Sequence, residues 1–282
     1  MEQKLVLRGL LAGALAGVVA FLFARIFAEP QIQKAIDYES ARDAAQDALN
    51  KAAHVPSAEH GSDVFTRSVQ ANLGLGVGMI AFGAAMGVLF AIAYTVCLGR
   101  VGGLRPRTIA LVVAAGGFLA LYLVPFVKYP ANPPSIGHAD TIKQRGALYL
   151  VMVGAALVLL IGAVALGRTL TDRFGNWTAS VLAIGAFVVT VGVVMWLLPS
   201  FGDLAFNRAN FGHFATETPQ PLKDADGHIV FPGFPADVLF DFRLYSVGAQ
   251  LLLWATLGLL FGPLAERLIA PEMRTAARVA RT

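Results

Sequence analysis

The sequence predicts an all-α membrane protein, a bundle of about six transmembrane helices with both termini in the cytoplasm. Of its 282 residues, 56 % are hydrophobic and only 14 % are charged, and the mean hydropathy is +0.65. Charged residues make up about a quarter of an ordinary soluble domain. A chain with so little charge cannot cover a surface that faces water, so we expect most of its surface to face lipid.

Six apolar stretches each have about the 20 residues that an α-helix needs to cross the hydrocarbon core of a bilayer. They predict spans at 9–27, 71–98, 108–127, 146–167, 177–199 and 245–264. The whole chain, 1–282, is predicted to be one membrane domain, with outer loops at 28–70, 128–145 and 200–244.

The distribution of Lys and Arg among the loops predicts the orientation, because cytoplasmic loops are enriched in these residues. The two termini and the short loops 99–107 and 168–176 hold eleven of the 22 basic residues but only four of the 18 acidic ones. The outer side, made of the longer loops and of Arg25 at the end of the first span, holds the other eleven basic residues and 14 acidic ones. The short, basic loops are therefore assigned to the cytoplasm.

The first span has an alternative interpretation as a cleaved signal peptide. Lys4 and Arg8 precede an apolar run, and small residues follow near Ala28. That run is long for the apolar region of a signal peptide, which favours a retained span. Cleavage would leave five spans with every remaining loop on the same side.

Two outer segments differ in their predicted structure. Segment 31–53 carries Ile32, Ile36 and Leu49 at roughly helical spacing, which predicts a helix lying over the outer face. Segment 205–235 is rich in Pro, Gly and Asp, which is typical of an irregular loop.

Glycines recur every fourth residue on three of the predicted spans. This spacing makes a flat strip on which two helix backbones can approach closely. We expect these strips to pack within the chain, the alternative being an interface with a second copy. The residues are Gly9, Gly13 and Gly17, then Gly74 with Gly78, Gly83 with Gly87, and Gly258 with Gly262.

The most distinctive local motif is 123–134, Leu-Val-Pro-Phe-Val-Lys-Tyr-Pro-Ala-Asn-Pro-Pro, at the outer end of the third span. Its prolines fix an extended exit, and Lys128 with Tyr129 can anchor at lipid headgroups. The alternative is a rigid outer mouth that offers oxygen and imidazole ligands to a divalent cation. Its candidate residues are Glu29, Tyr129, Asn132, His138, Asp140 and Asp241.

Cationic side chains lie close to these candidates in the sequence. Arg25 is four residues before Glu29, so the two are predicted to pair on one helical face, and Arg243 follows Asp241 where the last span begins. Such pairs can simply fix helix ends.

Several classes of function have no support in the residues. The net charge of +4 is scattered, without the basic patch that nucleic-acid binding needs, and the single cysteine, Cys97, excludes a disulfide within the chain. No nucleophile, phosphate-loop or dinucleotide motif stands in a credible context, so no enzymatic activity and no bound cofactor are expected. The histidines all lie in outer loops, where exposure is the default: His54, His60, His138, His213 and His228.

Taken together, these motifs resemble those of the CbtA family, predicted membrane subunits of a cobalt uptake system linked to cobalamin synthesis. The resemblance covers nearly the whole chain, and the proline-rich motif is its most specific part. It rests on Arg8–Gly13, Phe23–Pro30, Val124–Pro134, Phe234–Asp237 and Leu259–Arg267.

The resemblance implies a multi-pass subunit of a Co²⁺ permease in the bacterial inner membrane, with Ni²⁺ as a second candidate cargo. It also implies a small, histidine-bearing, single-span partner, CbtB, while a homo-oligomer is a further arrangement to consider. The runner-up function is a scaffold or accessory subunit that does not itself transport. The spans carry no Asp, Glu, His or Lys near their middle, which favours a pathway shared between subunits.

Overall fold

The computed structural model describes residues 2–56, 65–100, 103–212 and 216–279, with side chains described up to 269. These residues form an almost entirely helical structure, which confirms the predicted all-α class. The helices are α1 (Glu2–Phe23), α2 (Glu29–Ala52), α3 (Arg67–Val69), α4 (Leu75–Cys97), α5 (Pro106–Gly117), α6 (Val124–Lys128), α7 (Ile142–Leu197), α8 (Ala205–Phe211) and α9 (Ala236–Val279).

Five helical segments of the described residues are long and apolar enough to cross a membrane. They are Glu2–Ala52, Arg67–Cys97, Pro106–Lys128, Ala139–Asp203 and Ala236–Ile269.

The fourth segment contains α7, which breaks at Gly175, where φ is 75° and ψ is 165°. A Cβ added at Gly167 would lie 3.3 Å from the Cβ of Ala183. Sixteen residues of straight helix would separate these positions by about 24 Å. α7 therefore folds back on itself near Gly175, and its two arms, 142–174 and 176–197, support the prediction of six spans.

The chain divides into two compact units. The first comprises Met1–Glu29, Asp63–Leu119 and Tyr245–Thr282, and the second comprises Pro30–Ser62 and Ala120–Leu244. That the whole chain acts as one membrane domain stays a prediction.

Within the first unit, α1 and α4 pack backbone against backbone along a seam of glycines. A Cβ at Gly13 would overlap the carbonyl oxygen of Gly83 and lie 2.8 Å from the Cα of Gly87. Gly9 and Gly17 meet the backbone of α4 in the same way. Packing of these glycine strips within the chain, as the sequence predicts, is confirmed for this pair.

The other glycine pairs differ in whether they face another helix. On α9, a Cβ at Gly258 would lie 2.8 Å from the Cβ of Ala114, and one at Gly262 would lie 3.2 Å from the Cα of Arg107. These glycines also allow close packing. A Cβ at Gly78 would meet no atom within 4 Å in the described part of the chain, so the prediction that Gly78 packs there is wrong.

In the second unit, the predicted helix of segment 31–53 is present as α2. Within segment 31–53 the buried positions are Gln31, Ala35 and Tyr38, so the buried face is displaced by about one residue from the predicted stripe. The Tyr38 hydroxyl donates to the carbonyl oxygen of Pro232 at 2.9 Å, and its ring packs edge-on against Phe234. That α2 lies over the outer face stays a prediction.

Segment 205–235 is more regular than its composition predicts. It contains α8 and an antiparallel hairpin formed by β1 (Leu222–Lys223) and β2 (Ile229–Phe231). Pro, Gly and Asp occupy the turns around the hairpin rather than its strands, so the overall composition of the segment conceals the two short strands. The irregular loop predicted here is therefore partly wrong.

The third span changes its winding just before the proline-rich motif. Phe118–Leu123 is π-helical, and α6 follows with Pro125 as its second residue. Proline has no backbone N–H and crowds the carbonyl four residues earlier, so a wider turn at this point relieves the conflict. The helix continues to Lys128 before the chain leaves in extended form.

Candidate outer-mouth site

Tyr129 holds the start of the proline-rich exit in place. Its side chain is 2 % exposed, its ring stacks on Phe201 at 4.6 Å, and its hydroxyl donates to the carbonyl oxygen of Pro199 at 2.8 Å. Burial raises the pKa of this hydroxyl, so it stays neutral and keeps its proton for the bond. Tyr129 therefore joins the exit to the end of α7 instead of reaching lipid headgroups.

Asn132 is engaged by the first turns of α9. Arg243 donates to the Asn132 Oδ1 at 2.9 Å and to the carbonyl oxygen of Ala131 at 3.1 Å. One guanidinium thus fixes two successive residues of the exit. The side-chain oxygen of Asn132 therefore already accepts a hydrogen bond from the Arg243 guanidinium.

His138 lies at the edge of a buried polar network that sequence reasoning missed. Its backbone N–H donates to the Glu217 Oε2 at 3.2 Å, and its ring stacks on Phe211 with centroids 4.6 Å apart. The ring is half-buried, so the expectation that this histidine is an exposed loop residue is wrong. Its Nε2 is buried and has no hydrogen-bond partner among the described residues.

Glu217 is the centre of that network. The Arg145 Nε lies 3.2 Å from Oε2, the Thr141 hydroxyl donates to the same oxygen at 3.0 Å, and the Asn207 Nδ2 donates to Oε1 at 2.6 Å. Glu217 is 5 % exposed, and Thr141 and Asn207 are fully buried. A buried carboxylate is tolerable only with such a set of donors and a paired cation.

The remaining candidates in the second unit are free carboxylates. Asp140, in the short 3₁₀ turn Ala139–Thr141, is exposed, and Asp241 on α9 is half-buried. Neither forms an ion pair or side-chain hydrogen bond with a described residue. These two can attract a cation without first losing a protein partner.

Glu29 belongs to the first unit and is already paired. Arg67 donates to its Oε1, and the Glu29 side chain is only 8 % exposed. Arg25 instead donates to the Asn72 Oδ1 at 2.8 Å. Arg25 therefore acts on Glu29 only through its charge, while the closer partners come from segment 67–72: Arg67 for Glu29 and Asn72 for Arg25.

A separate set of possible ligands lies in the turn between β1 and β2. Asp224, Asp226 and His228 place one ligand atom each within 4.8 Å of one another. The Asp224 Oδ1 already accepts the backbone N–H groups of Asp226 and His228, at 3.0 and 2.8 Å. These bonds form the turn, which accounts for the closeness of the three side chains without a metal.

The histidines share no common environment. His54 and His228 are exposed, as expected for loop residues, whereas His60 and His213 lie outside the described residues. In the described part of the chain, one group alone brings three His, Cys, Asp or Glu side chains close enough to hold one ion. It is the group Asp224, Asp226 and His228 in the turn between β1 and β2, which we name the β-turn set. An arrangement of this kind at the outer mouth would have to be completed by solvent or by another chain.

One comparison with known proteins identifies a family. The family model described as a probable cobalt transporter subunit (CbtA) matches residues 2–266, which is most of the chain. Neither a curated protein nor a solved structure matches significantly.

Proposed function

The chain belongs to the CbtA family of probable cobalt transporter subunits, and from this premise we propose that it is the membrane subunit of a Co²⁺ uptake permease. The family match, which covers 2–266, carries the proposal, because it includes nearly all of the helices that can cross a membrane. We extend the proposal to Ni²⁺ as a second cargo, to a link with cobalamin synthesis and to the bacterial inner membrane. No catalytic step is part of the proposal.

We propose that the outer mouth captures the hydrated cation. Of its six residues, Asp140 and Asp241 have carboxylates with no partner in the described part of the chain, whereas Tyr129 and Asn132 position the proline-rich exit. His138 adds an imidazole nitrogen with no described partner. Glu29, in the other unit, would contribute only if Arg67 released it.

The charges around this region limit what it can bind alone. Arg243 donates to the exit loop, and Asp241 has no ion-pair partner among the described residues, so its carboxylate is available to a cation. Repulsion by the same guanidinium weakens cation binding. A capture site of modest affinity, which hands the ion onward, fits these charges better than a tight storage site.

We propose that a second subunit completes the path. The predicted spans offer no Asp, Glu, His or Lys near their middle, and Co²⁺ requires nitrogen, oxygen or sulfur ligands throughout its passage. A small, single-span, histidine-bearing partner of the CbtB type would supply such ligands. The same observation favours the second candidate function, a scaffold that supports transport by another protein.

Uptake of radiolabelled Co²⁺ separates these functions. Four strains are compared, with and without this chain, each with and without the small partner. A permease subunit predicts saturable uptake only when both proteins are present, or strong stimulation of the chain by its partner. Uptake by the partner alone that the chain only increases would favour the scaffold role. Equal uptake with and without the chain, or no uptake in any strain, would contradict a role of this protein in cobalt transport.

The outer-mouth site is tested by titrating Co²⁺ against uptake at matched expression. Asp241→Ala, Asp140→Ala and Glu29→Ala are compared with His228→Ala, which removes a histidine from the β-turn set. We expect Asp241→Ala to raise the concentration for half-maximal uptake most and His228→Ala to leave it unchanged. Wild-type behaviour of all the mouth variants would show that capture occurs elsewhere.

A further inference from the structure

The end of the last span contains a weak point in its helix. Gly262 and Pro263 are adjacent in the middle of α9. Pro263 cannot donate a backbone hydrogen bond to the carbonyl of Leu259, and Gly262 favours the helical conformation less than any residue but proline. α9 is therefore easier to bend here than along its other turns.

Three other helices of the first unit hold the residues beside this weak point. Arg8, on α1, donates to the carbonyl oxygen of Leu264. Tyr94, on α4, packs edge-on against Phe261, with ring centroids 5.0 Å apart. We name residues 261–266 the inner segment.

The third helix contributes an ion pair. The Arg107 Nε, just inside α5, lies 2.5 Å from the Glu266 Oε2. Both side chains remain accessible, at 61 % and 31 % exposed, so solvent weakens their attraction. The ion pair at the other end of the unit, Arg67 with Glu29, is much more buried. Breaking the ion pair between Arg107 and Glu266 therefore costs less free energy than breaking the one between Arg67 and Glu29.

The closed position of the inner segment leaves a polar group unsatisfied. Tyr94 is fully buried, and its hydroxyl has no hydrogen-bond partner among the described residues. It lies within electrostatic reach of Glu266. Water admitted by a movement of the inner segment would give this hydroxyl a partner, which offsets part of the packing lost on opening.

We propose that the inner segment is a hinged closure, which bends at Gly262–Pro263 and is held shut by the tie between Arg107 and Glu266. Its opening admits water beside Tyr94 and provides the exit for the cation on the cytoplasmic side. The exit role rests on the proposed function and on the predicted orientation, whereas the hinge rests on the contacts of the first unit alone.

Thiol labelling in inside-out vesicles tests the hinge. In a Cys97→Ala background, Ala265→Cys places a reporter in the inner segment, and Ala249→Cys places a matched one toward the other end of the same helix. Both alanines are buried, at 0 % and 7 % exposed. Because maleimides react only with thiols that water reaches, the labelling rate measures opening.

We expect Arg107→Gln and Glu266→Gln each to speed labelling at position 265 by about fivefold, the change that loss of a partly exposed ion pair allows. Labelling at 249 should not change. The exchanged pair, Arg107→Glu with Glu266→Arg, should return the rate toward that of the parent. If Ala265→Cys does not fold, Ile269→Cys replaces it, because Ile269 also lies beyond the hinge and is buried, at 4 % exposed.

Unchanged labelling in both single variants would overturn the hinge, and so would equal acceleration at 265 and 249, which would indicate general loosening. Co²⁺ uptake then tests the exit role. Faster labelling with altered uptake supports it, and faster labelling with unaltered uptake overturns it. A parent protein that transports no Co²⁺ would contradict the proposed function, while the labelling rates would still decide the hinge.

Discussion

The α1–α4 pair and the α7 hairpin are both apolar and rich in glycine, but they use their glycines differently. In the pair, the glycines of one helix touch the backbone of the other, as at Gly13 and Gly83. In the hairpin, a Cβ added at Gly154 or Gly185 would meet no atom within 4 Å among the described residues. In the most apolar part of the hairpin segment, 11 % of the sequence is buried inside the protein. The corresponding shares for the segments that contain α1 and α4 are 33 % and 28 %.

The difference teaches that glycine content alone does not predict helix packing. A close approach needs small residues at a four-residue spacing on both helices, so that two flat strips can meet. Gly78 shows the limit of the rule, because it has the spacing within α4 but no facing helix among the residues that the structure describes. In lipid, a large side chain at such a position costs little, since the acyl chains can accommodate it.

The largest effect is expected from Gly13→Leu. The added side chain would force the backbones of α1 and α4 apart and remove their dispersion contacts, so most of the folded protein should be lost. Gly154→Leu on α7 is the matched control and should keep wild-type yield. Monodisperse yield in detergent and thermal stability measure both, and equal behaviour of the two variants would remove the contrast between the regions.

The second-largest effect is expected from a change to the buried Glu217 network, which stabilises the second unit. Glu217→Gln leaves the Arg145 guanidinium without its buried counter-charge, so we expect a loss of about 3 kcal/mol, the lower end for breaking a buried ion pair. Unfolding of the purified protein in denaturant measures it. The partly exposed pair of the first unit supplies a control, since Glu266→Gln should cost no more than about 1 kcal/mol. Equal costs would show that the buried Glu217 network stabilises its unit no more than the partly exposed ion pair does.

Whether the sequence predicts a structural feature depends on how far apart along the chain its interacting residues lie. Spans, glycine strips and the helix at 31–53 depend on residues near each other in the chain, and periodicity reveals them. The Glu217 network joins residues brought together from 138–145 and 207–217, and no local pattern marks Glu217 as buried. The contact of Arg243 with Asn132 is equally hidden, because it spans 111 residues.

The candidate mouth was therefore only partly predictable. Sequence position placed Tyr129 and Asn132 at the outer boundary, but the partners that occupy their polar atoms, Pro199 and Arg243, come from distant segments. Residues of the right type at the right depth need not be available as ligands. Asp140 and Asp241 remain the more accessible choice.

A smaller effect is expected from Tyr129→Phe. It removes the hydrogen bond to the carbonyl oxygen of Pro199 while keeping the stacking on Phe201, so the loss should be about 1 kcal/mol. The thermal stability of Tyr129→Phe is compared with that of Tyr38→Phe, which removes a similar hydrogen bond to the carbonyl oxygen of Pro232. A loss as large as that of Glu217→Gln would mean that the exit of the third span stabilises the second unit as much as the buried network does.

The smallest effect is expected from Gly78→Leu, despite its position in the same helix as Gly83. Its added side chain meets no described atom, so the folded yield should match that of the wild type. A large loss would reveal an interface with another chain on this side of α4, since nothing within the described residues would explain it.

The most direct test of the membrane architecture is the number of times that α7 crosses the bilayer. Alkaline-phosphatase fusions after Gly137, Phe174 and Asp226 report the side of the membrane at the start, the bend and the far side of the hairpin. Six spans with both termini inside predict active, inactive and active fusions in that order, with inactive fusions after Gly103 and Arg278. Opposite activities at Gly137 and Asp226 would show a single crossing and contradict the architecture.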